Sequence, residues 1–482
     1  MTLARVVLTG LALALAAGPC LAQIPAPPEA QAAPAPQRPA YVAFDEPVIL
    51  IRDVRLVDGT GAPARTGMSV LIRDGRIAGV GAGLAAPDGA RVIEGAGKTL
   101  TPGLVLMHEH MFYPTGRMNY GEMSFSFPRL YLAGGVTTMR TAGSMSPYAD
   151  LNLRDEIAAG RTPGPDMDVT APYLNGPGLP ILQVNALEGA DDAERMVEYW
   201  SAEGATSYKT YMEIRRAELG RVIDLAHARG QKVTGHLCSV TYREAADLGI
   251  DNLEHGFFAA TDFVEGKQPD VCPDDAAVQA SLAALDPNAP EVQALIRHLV
   301  DKGVVLTSTL TIIETLTTGR PMAPEGALAL LTPPVRAQYE QVYPLLQQRT
   351  DDASRNLLAN MMRLERAFAE AGGTLVAGTD PTGYGGVIPG YSSRRQLQLM
   401  LEAGFDFETV IRISSLNAAR FLGRDAEVGS IEPGKRADLI LIDGDPSTDP
   451  AALDRFVYVF KSGIGYHPAV ILEGLRGTVG LH

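Results

Sequence analysis

The stretch Thr101-Pro102-Gly103-Leu104-Val105-Leu106-Met107-His108-Glu109-His110 decides how this chain is read. A Pro-Gly pair introduces four consecutive apolar residues, and the run ends on two histidines one residue apart. A short apolar run bounded by a turn signal fits a strand buried on both faces, as in a parallel sheet. Alternate residues of a strand point to the same side, so the imidazoles of His108 and His110 can reach one metal ion.

Outward from this run, seven more of the same kind follow, at residues 136–141, 168–171, 207–211, 232–236, 252–255, 304–309 and 374–379. The spacers carry helical patterns, with apolar side chains at helical spacing over residues 217–229 and 361–371. Eight strand-like runs alternating with helices predict a (β/α)8 barrel, a TIM barrel of the α/β class, over residues 101–422. The spacer between 309 and 374 is unusually long and rich in Leu, Pro and Gln, and is expected to place helices over the substrate.

Both ends read differently. Val54-Arg55-Leu56-Val57-Asp58-Gly59 and Ser69-Val70-Leu71-Ile72-Arg73-Asp74-Gly75-Arg76-Ile77 alternate with period two and turn at Asp-Gly. Ala437-Asp438-Leu439-Ile440-Leu441-Ile442-Asp443-Gly444 and Val457-Tyr458-Val459-Phe460-Lys461-Ser462-Gly463 repeat the pattern near the other end. A small β-sandwich assembled from residues 48–100 and 423–482 is the prediction.

Arg5 precedes an apolar run from Val6 to Ala17, and Ala22 stands at a plausible cleavage position. Residues 1–22 therefore read as a secretory signal peptide, too short for a membrane span, and the protein is expected to be exported, periplasmic or secreted. Pro19 stands where lipid attachment at Cys20 would want a small residue. The Ala/Pro/Gln-rich stretch that follows makes 23–47 a linker. Two cysteines then remain, Cys238 and Cys272. Export permits a disulfide, but two thiols make no framework, and the place of Cys238 just past a candidate metal ligand weighs against pairing.

With 482 residues the chain can bury one barrel and a smaller companion domain. The formal net charge is −15 and no Lys/Arg cluster occurs, which argues against nucleic acid or an anionic membrane as partner. No apolar run after the leader is long enough for stable membrane insertion, and a homo-oligomer stays open.

Five of the eight runs end on, or are followed at once by, a metal-capable side chain: His108 and His110, then Lys209, His236, His255 and Asp380. In a barrel the carboxyl ends of all strands meet at one mouth, so residues far apart in sequence can converge. Singly, each has an ordinary reading as a packed histidine, a turn aspartate or a solvated lysine. Together they are harder to dismiss, because four of the eight histidines stand at apolar strand ends. His227, His298, His467 and His482 keep ordinary roles.

The segment 101–110 resembles the first-strand signature of the amidohydrolase superfamily. Gly429-Ser430-Ile431-Glu432-Pro433-Gly434-Lys435-Arg436-Ala437-Asp438-Leu439 is similar to its carboxyl-terminal sandwich motif. The likeness runs from about Val48 to Val479 and is nearest to the imidazolonepropionase-like branch with exported prolidases, Arg/Lys-type carboxypeptidases and ochratoxin-type amidases. Ser207-Tyr208-Lys209-Thr210-Tyr211 and Asn252-Leu253-Glu254-His255-Gly256 fit that branch.

The resemblance implies a binuclear site for two divalent ions, most often zinc. His108, His110 and Asp380 would hold the more buried ion, His236 and His255 the more exposed one, and Lys209, carboxylated on its nitrogen, would bridge them. A carbamate offers two oxygens and a negative charge where an ammonium would repel cations. Asp380 would be the catalytic acid–base, taking a proton as the bridging hydroxide attacks a carbonyl and returning it to the leaving nitrogen. Deaminases of the superfamily carry a Glu where this chain has Ser239, and lack the bridging lysine, so amide hydrolysis ranks ahead of deamination.

For substrate contacts, Arg140 could clamp a carboxylate bidentately or form a structural ion pair with a barrel acid. Tyr211 and Tyr242 flank ligand positions and would hydrogen-bond a tetrahedral intermediate or simply pack. Tyr384, in the loop Gly383-Tyr384-Gly385-Gly386, is the remaining candidate. The expected activity is metal-dependent hydrolysis of an acyl–nitrogen bond in a small molecule such as a dipeptide or an N-acyl amino acid. A cyclic amide, lactone or carbamate is the alternative on the same site. A non-catalytic binding protein is disfavoured, because all six ligand positions are kept.

Overall fold

The computed structural model describes residues 38–116, 119–179, 181, 183–184, 186–348 and 352–481. The expected signal peptide, Cys20 and most of the expected linker lie outside these residues, as does His482.

Each of the eight predicted runs contributes a strand: β1 (Leu104–Glu109), β2 (Val136–Thr141), β3 (Asp166–Asp168), β4 (Ser207–Thr210), β5 (Lys232–Gly235), β6 (Asn252–Glu254), β7 (Val305–Ser308) and β8 (Leu375–Ala377). β1, β2 and β3 pair in parallel in that order, and β4 to β8 form a second parallel sheet in sequence order. Parallel bridges Thr170↔Ser207 and Leu174↔Thr210 link the chain after β3 to β4. At the other edge, the backbone N–H groups of Thr379 and Asp380 donate to the His108 carbonyl at 3.1 and 3.0 Å, joining the end of β8 to β1. The arrangement is of the TIM-barrel type, mixed α/β. β3 starts two residues earlier than its apolar run, whose later residues supply the bridge to β4.

Every residue of β1, β2 and β4 is buried, which suits the apolar run of β1, while β2 and β4 bury polar side chains as well. The helices are amphipathic. Arg216–His227 buries Leu219, Val222, Ile223 and Ala226, and Pro290–Asp301 opens on a proline and buries Val292, Leu295, Ile296 and Leu299. Tyr242–Leu248 opens with a capping box between Thr241 and Glu244 and stops at Gly249, whose φ is +95°. Gly103 admits β1 beside β2, since a Cβ there would lie 2.9 Å from the Thr137 Cβ. Among its described residues the long spacer holds four helices, Leu310–Thr315, Glu325–Leu328, Pro333–Gln347 and Ala353–Glu370.

Both chain ends build a nine-stranded sheet. Lys98–Pro102 and Leu439–Asp443 pair antiparallel, from Pro102↔Leu439 to Lys98↔Asp443, so the two ends meet directly before β1. Ile49, Val70, Ile72, Leu439, Leu441 and Phe460 share its buried core. The sheet starts earlier than expected. Val42–Phe44, within the stretch read as linker, pairs with Ile464–Tyr466, where Phe44 packs edge-on against Tyr458 at 4.8 Å between ring centroids. At the other end, the Thr332 N–H donates to the Val479 carbonyl at 2.8 Å, so the last described residues tie to the long spacer.

The cysteine expectation is corrected. Cys238 and Cys272 form a disulfide with Cα atoms 4.8 Å apart. Cys238 follows β5 and Cys272 follows β6, and neighbouring parallel strands deliver their exit loops side by side. Among the described residues no helix is long and apolar enough to cross a membrane.

Candidate metal centre

β1 presents His108 and His110 on one side, and β8 delivers Asp380 beside them through a close backbone contact. A Cβ at Gly378 would lie 2.6 Å from the His108 nitrogen, so glycine is what lets the end of β8 press against β1. His255 and Asp380 have φ of +64° and +54°, left-handed values that residues with a Cβ rarely adopt. Such strain persists where packing holds a side chain in one required direction.

His108, His110, Lys209, His236, His255 and Asp380 all line one cavity of about 200 Å³. Donor atoms of His108, His110 and Asp380 lie within 4.8 Å of one another. Asp380 Oδ1 is 3.3 Å from His110 Nε2 and 3.7 Å from His108 Nε2, and its Oδ2 is 3.8 Å from His255 Nδ1. The His255 ring lies 4.5 Å, centroid to centroid, from both His108 and His236.

In three of the rings Nδ1 is tied down. His108 Nδ1 is 2.8 Å from Glu254 Oε2, His110 Nδ1 is 3.2 Å from the Gly143 carbonyl, and His255 Nδ1 is 2.7 Å from Thr309 Oγ1. Partners of this kind fix an imidazole's tautomer and turn its free nitrogen towards a metal.

Burial sets the charges. It lowers His108 to about 4 and His236 to about 3, with Lys209 adding to both, and with neighbouring histidines it holds His255 well below its usual range. Neutral imidazoles are the form that binds metals. Burial lowers Lys209 to about 8 against the pull of Glu254, and its Nζ, 3.7 Å from Glu254 Oε1, has no hydrogen-bond partner. Burial would raise Glu254 and Asp380, but nearby cations and histidines outweigh it and keep both carboxylates ionised. Imidazoles and a carboxylate converging on one cavity fit a divalent cation, and the His108, His110 and Asp380 group could hold one.

The amidohydrolase family profile matches residues 99–465. The chain belongs to the amidohydrolase family.

Among curated relatives, a dihydroorotase from Citrifermentans bemidjiense is 37% identical over 103 residues, 21% of this chain and 23% of that protein. One from Pelobacter propionicus is 26% identical over 262 residues, 53% of this chain and 56% of that protein. The chain thus spans from about a quarter to about half the length of these relatives. A solved candidate prolidase from Bifidobacterium longum superposes with a TM-score of 0.65 at 23% identity, over 89% of this chain and 98% of that one. A Xaa-Pro dipeptidase with bound methionine gives 0.66 at 20%, over 87% and 100%. The ochratoxinase of A. niger gives 0.62 at 16%, over 87% and 95%. At these identities the likeness is one of fold.

The substrate contacts expected from sequence fare unevenly in this amidohydrolase. Arg140 is no clamp. It is 1% exposed, and its guanidinium donates to the Met107 carbonyl, to Asn252 Oδ1 and to Glu254 Oε1 at 3.0, 2.8 and 2.7 Å. Tyr242 is buried outside the cavity lining, and its hydroxyl donates to the carbonyls of Glu254 and Gly256, which suits the packing alternative. Tyr211 does line the cavity, edge-on to His236 at 5.0 Å between centroids. Tyr384 stands 52% exposed outside the lining, and its neighbour Gly383 lines the cavity instead.

Sequence reasoning assigned no role to Glu254, the carboxylate that links His108, Arg140 and Lys209. Its place directly before His255, at the end of a predicted buried strand, was the available signal. Phe112, Tyr120 and Tyr173 of the lining were also missed, and no motif marks them.

Proposed function

We propose that this amidohydrolase cleaves the acyl–nitrogen bond of a small-molecule amide at a binuclear centre. The observation that carries the reading is the convergence of His108, His110, Lys209, His236, His255 and Asp380 on one cavity. His108, His110 and Asp380 would hold one ion and His236 and His255 a second, with carboxylated Lys209 shared between them; zinc suits such donors. The buried Nζ of Lys209, which makes no hydrogen bond and has Glu254 Oε1 3.7 Å away, supports this, because a carbamate there would gain the ligand bonds the amine lacks. The ions, when bound, supply Lewis acidity, lowering the pKa of water and polarising the carbonyl.

Asp380 takes the proton from the attacking water on a carboxylate oxygen and returns it to the leaving nitrogen. Glu254 and the Gly143 carbonyl hold His108 and His110 with Nε2 towards Asp380, and Thr309 orients His255. We also infer that the eight parallel strands close as a (β/α)8 barrel. The shared core of the nine-stranded sheet supports its folding over as a sandwich.

The dihydroorotase likeness favours a second reading, opening of a cyclic amide. Amine release from linear amides by metal-loaded protein, abolished by chelation, is the expected result. Ring opening of cyclic amides without any amine release from linear ones would install the second reading instead.

A further inference from the structure

Beyond the candidate ligands the cavity walls are mostly apolar, part aromatic and part aliphatic, and include Thr382 and Gly383. Phe112, Tyr120, Tyr173 and Tyr211 belong to one cluster, with Phe112 stacked on His110 at 4.4 Å between centroids. Phe112 meets Tyr120 edge-on at 5.3 Å, and Tyr173 meets Tyr211 in the same way at 4.9 Å. Ile312, Ile313 and Leu316, on and just after the Leu310–Thr315 helix, line the same cavity. Planar aromatic faces beside branched aliphatic side chains make a slot for a flat or bulky apolar group.

The polar groups of that lining are of one kind. Among the described lining residues Lys209 is the one lysine or arginine, and it sits at the centre beside Glu254. Arg140, near the end of β2, lies outside that lining; its Nε and Nη2 go to a backbone carbonyl, Asn252 and Glu254, and its buried Nη1 makes no hydrogen bond. Tyr120, Tyr173 and Tyr211 offer neutral O–H groups, and burial pushes the Tyr120 hydroxyl up to about 12, so it stays protonated. A neutral O–H can donate to an amide carbonyl or an ether oxygen. A substrate carboxylate would have to shed its water in this cavity without a described arginine to receive it.

Resting on the reading of the site as an amide-hydrolysing centre, we propose that its substrate is uncharged around the scissile bond and is gripped by an aromatic or bulky apolar group between the tyrosine-rich wall and the Leu310–Thr315 helix. Dipeptides and N-acyl amino acids, which carry a carboxylate on the amine half, are then poor substrates beside neutral amides of the same shape.

The test uses three probes on the metal-loaded full chain: N-propyl-phenylacetamide, phenylacetylglycine as its charged near-isostere, and N-propylacetamide without the ring. Binding is read by calorimetry and cleavage by amine release. The neutral aryl amide should bind at least about tenfold more tightly than either other probe, the scale of one well-made apolar contact. Ile312→Ala and Leu316→Ala should shrink the gap between the aryl and acetyl amides while leaving the acid weak. Equal or tighter binding of phenylacetylglycine overturns the proposal. Arg117 lies outside the described residues, and loss of that acid binding in Arg117→Ala would name the anion anchor. Tighter binding of the neutral aryl amide with no amine released would leave this inference standing and remove the amide-hydrolase reading. Fastest release from the acid would do the reverse.

Discussion

Arg140 Nη2 donates to Glu254 Oε1 at 2.7 Å, with both side chains shut off from solvent. The other oxygen of Glu254 accepts from His108 Nδ1 at 2.8 Å, so one carboxylate ties an arginine on β2 to a candidate ligand on β1. Arg140→Met removes the closest cation and leaves His108 and Lys209 to offset the buried carboxylate, and breaking a buried pair of this kind costs about 3–5 kcal/mol. Arg140→Lys restores charge but not the fork that also reaches Met107 and Asn252, so it should recover only part of the loss. Chemical denaturation read alongside bound metal checks both variants. A stability change within about 0.5 kcal/mol, as at ordinary surface sites, together with weaker binding of carboxylate-bearing amides alone, would return Arg140 to the substrate.

Glu365 is a buried acid that is not itself a candidate ligand, and its carboxyl group lies close against Gly256, the residue after His255. One oxygen accepts from Ser308 Oγ at 2.7 Å, the other has no partner, and burial pushes the carboxyl from the ordinary 4.5 up to about 8. Because the folded value lies above the unfolded one, its contribution to stability is whole below 4.5 and is lost as the pH rises towards 8. Glu365→Gln escapes that loss. Its melting temperature should gain on the parent's between about pH 5 and about pH 8, then run parallel above. A difference that stays constant across this window would mean that Glu365 is already ionised in the folded protein.

The Cys238–Cys272 bond closes a sequence separation of 34 residues and pins the loop after β6 beside the loop after β5. Chain-entropy reasoning gives such a loop about 3–4 kcal/mol, so Cys238→Ser with Cys272→Ser should unfold at clearly lower denaturant. A bond of this kind suits an oxidising compartment, and the amino-terminal reading proposes export. Mass spectrometry of protein from the native host should find a terminus near Gln23. An intact 1–22 segment on reduced cytoplasmic protein would sink the proposal.

What could be read in advance follows from how each feature is encoded. Strands buried on both faces favour short apolar stretches, clearest in Leu104–Glu109, and although β4 reads Ser207-Tyr208-Lys209-Thr210 and β6 Asn252-Leu253-Glu254, metal-capable residues near the strand ends stood out. Arg140 was ambiguous because its partner Glu254 lies 114 residues on, and a strand-end arginine looks the same whether it faces substrate or a buried acid. Tyr242 follows His236 closely in sequence, yet a helix turns it away, and its hydroxyl closes on the Glu254 and Gly256 carbonyls. Tyr120 comes from the Asn119–Glu122 strand and Tyr173 from the chain after β3, positions that only the tertiary structure brings to the cavity. The disulfide escaped for the same reason, since loop adjacency is a property of strand order.

Lys209 offers the most demanding test. If it bridges two ions as a carbamate, Lys209→Ala should lose most activity and regain part of it with formate or acetate. A small acid can enter the vacated space and offer the same two oxygens, and the cavity of about 200 Å³ leaves it a route. Lys209→Arg should not be rescued, because guanidinium keeps its charge and fills the gap. Asp380→Asn should part company with both. It should keep much of the metal through the histidines but lose proton transfer, at a cost of about 10²–10⁴ in rate. Metal content measured with turnover separates the three outcomes. Full activity in Lys209→Ala would remove the bridge, and with it the ground for placing a second ion at His236 and His255.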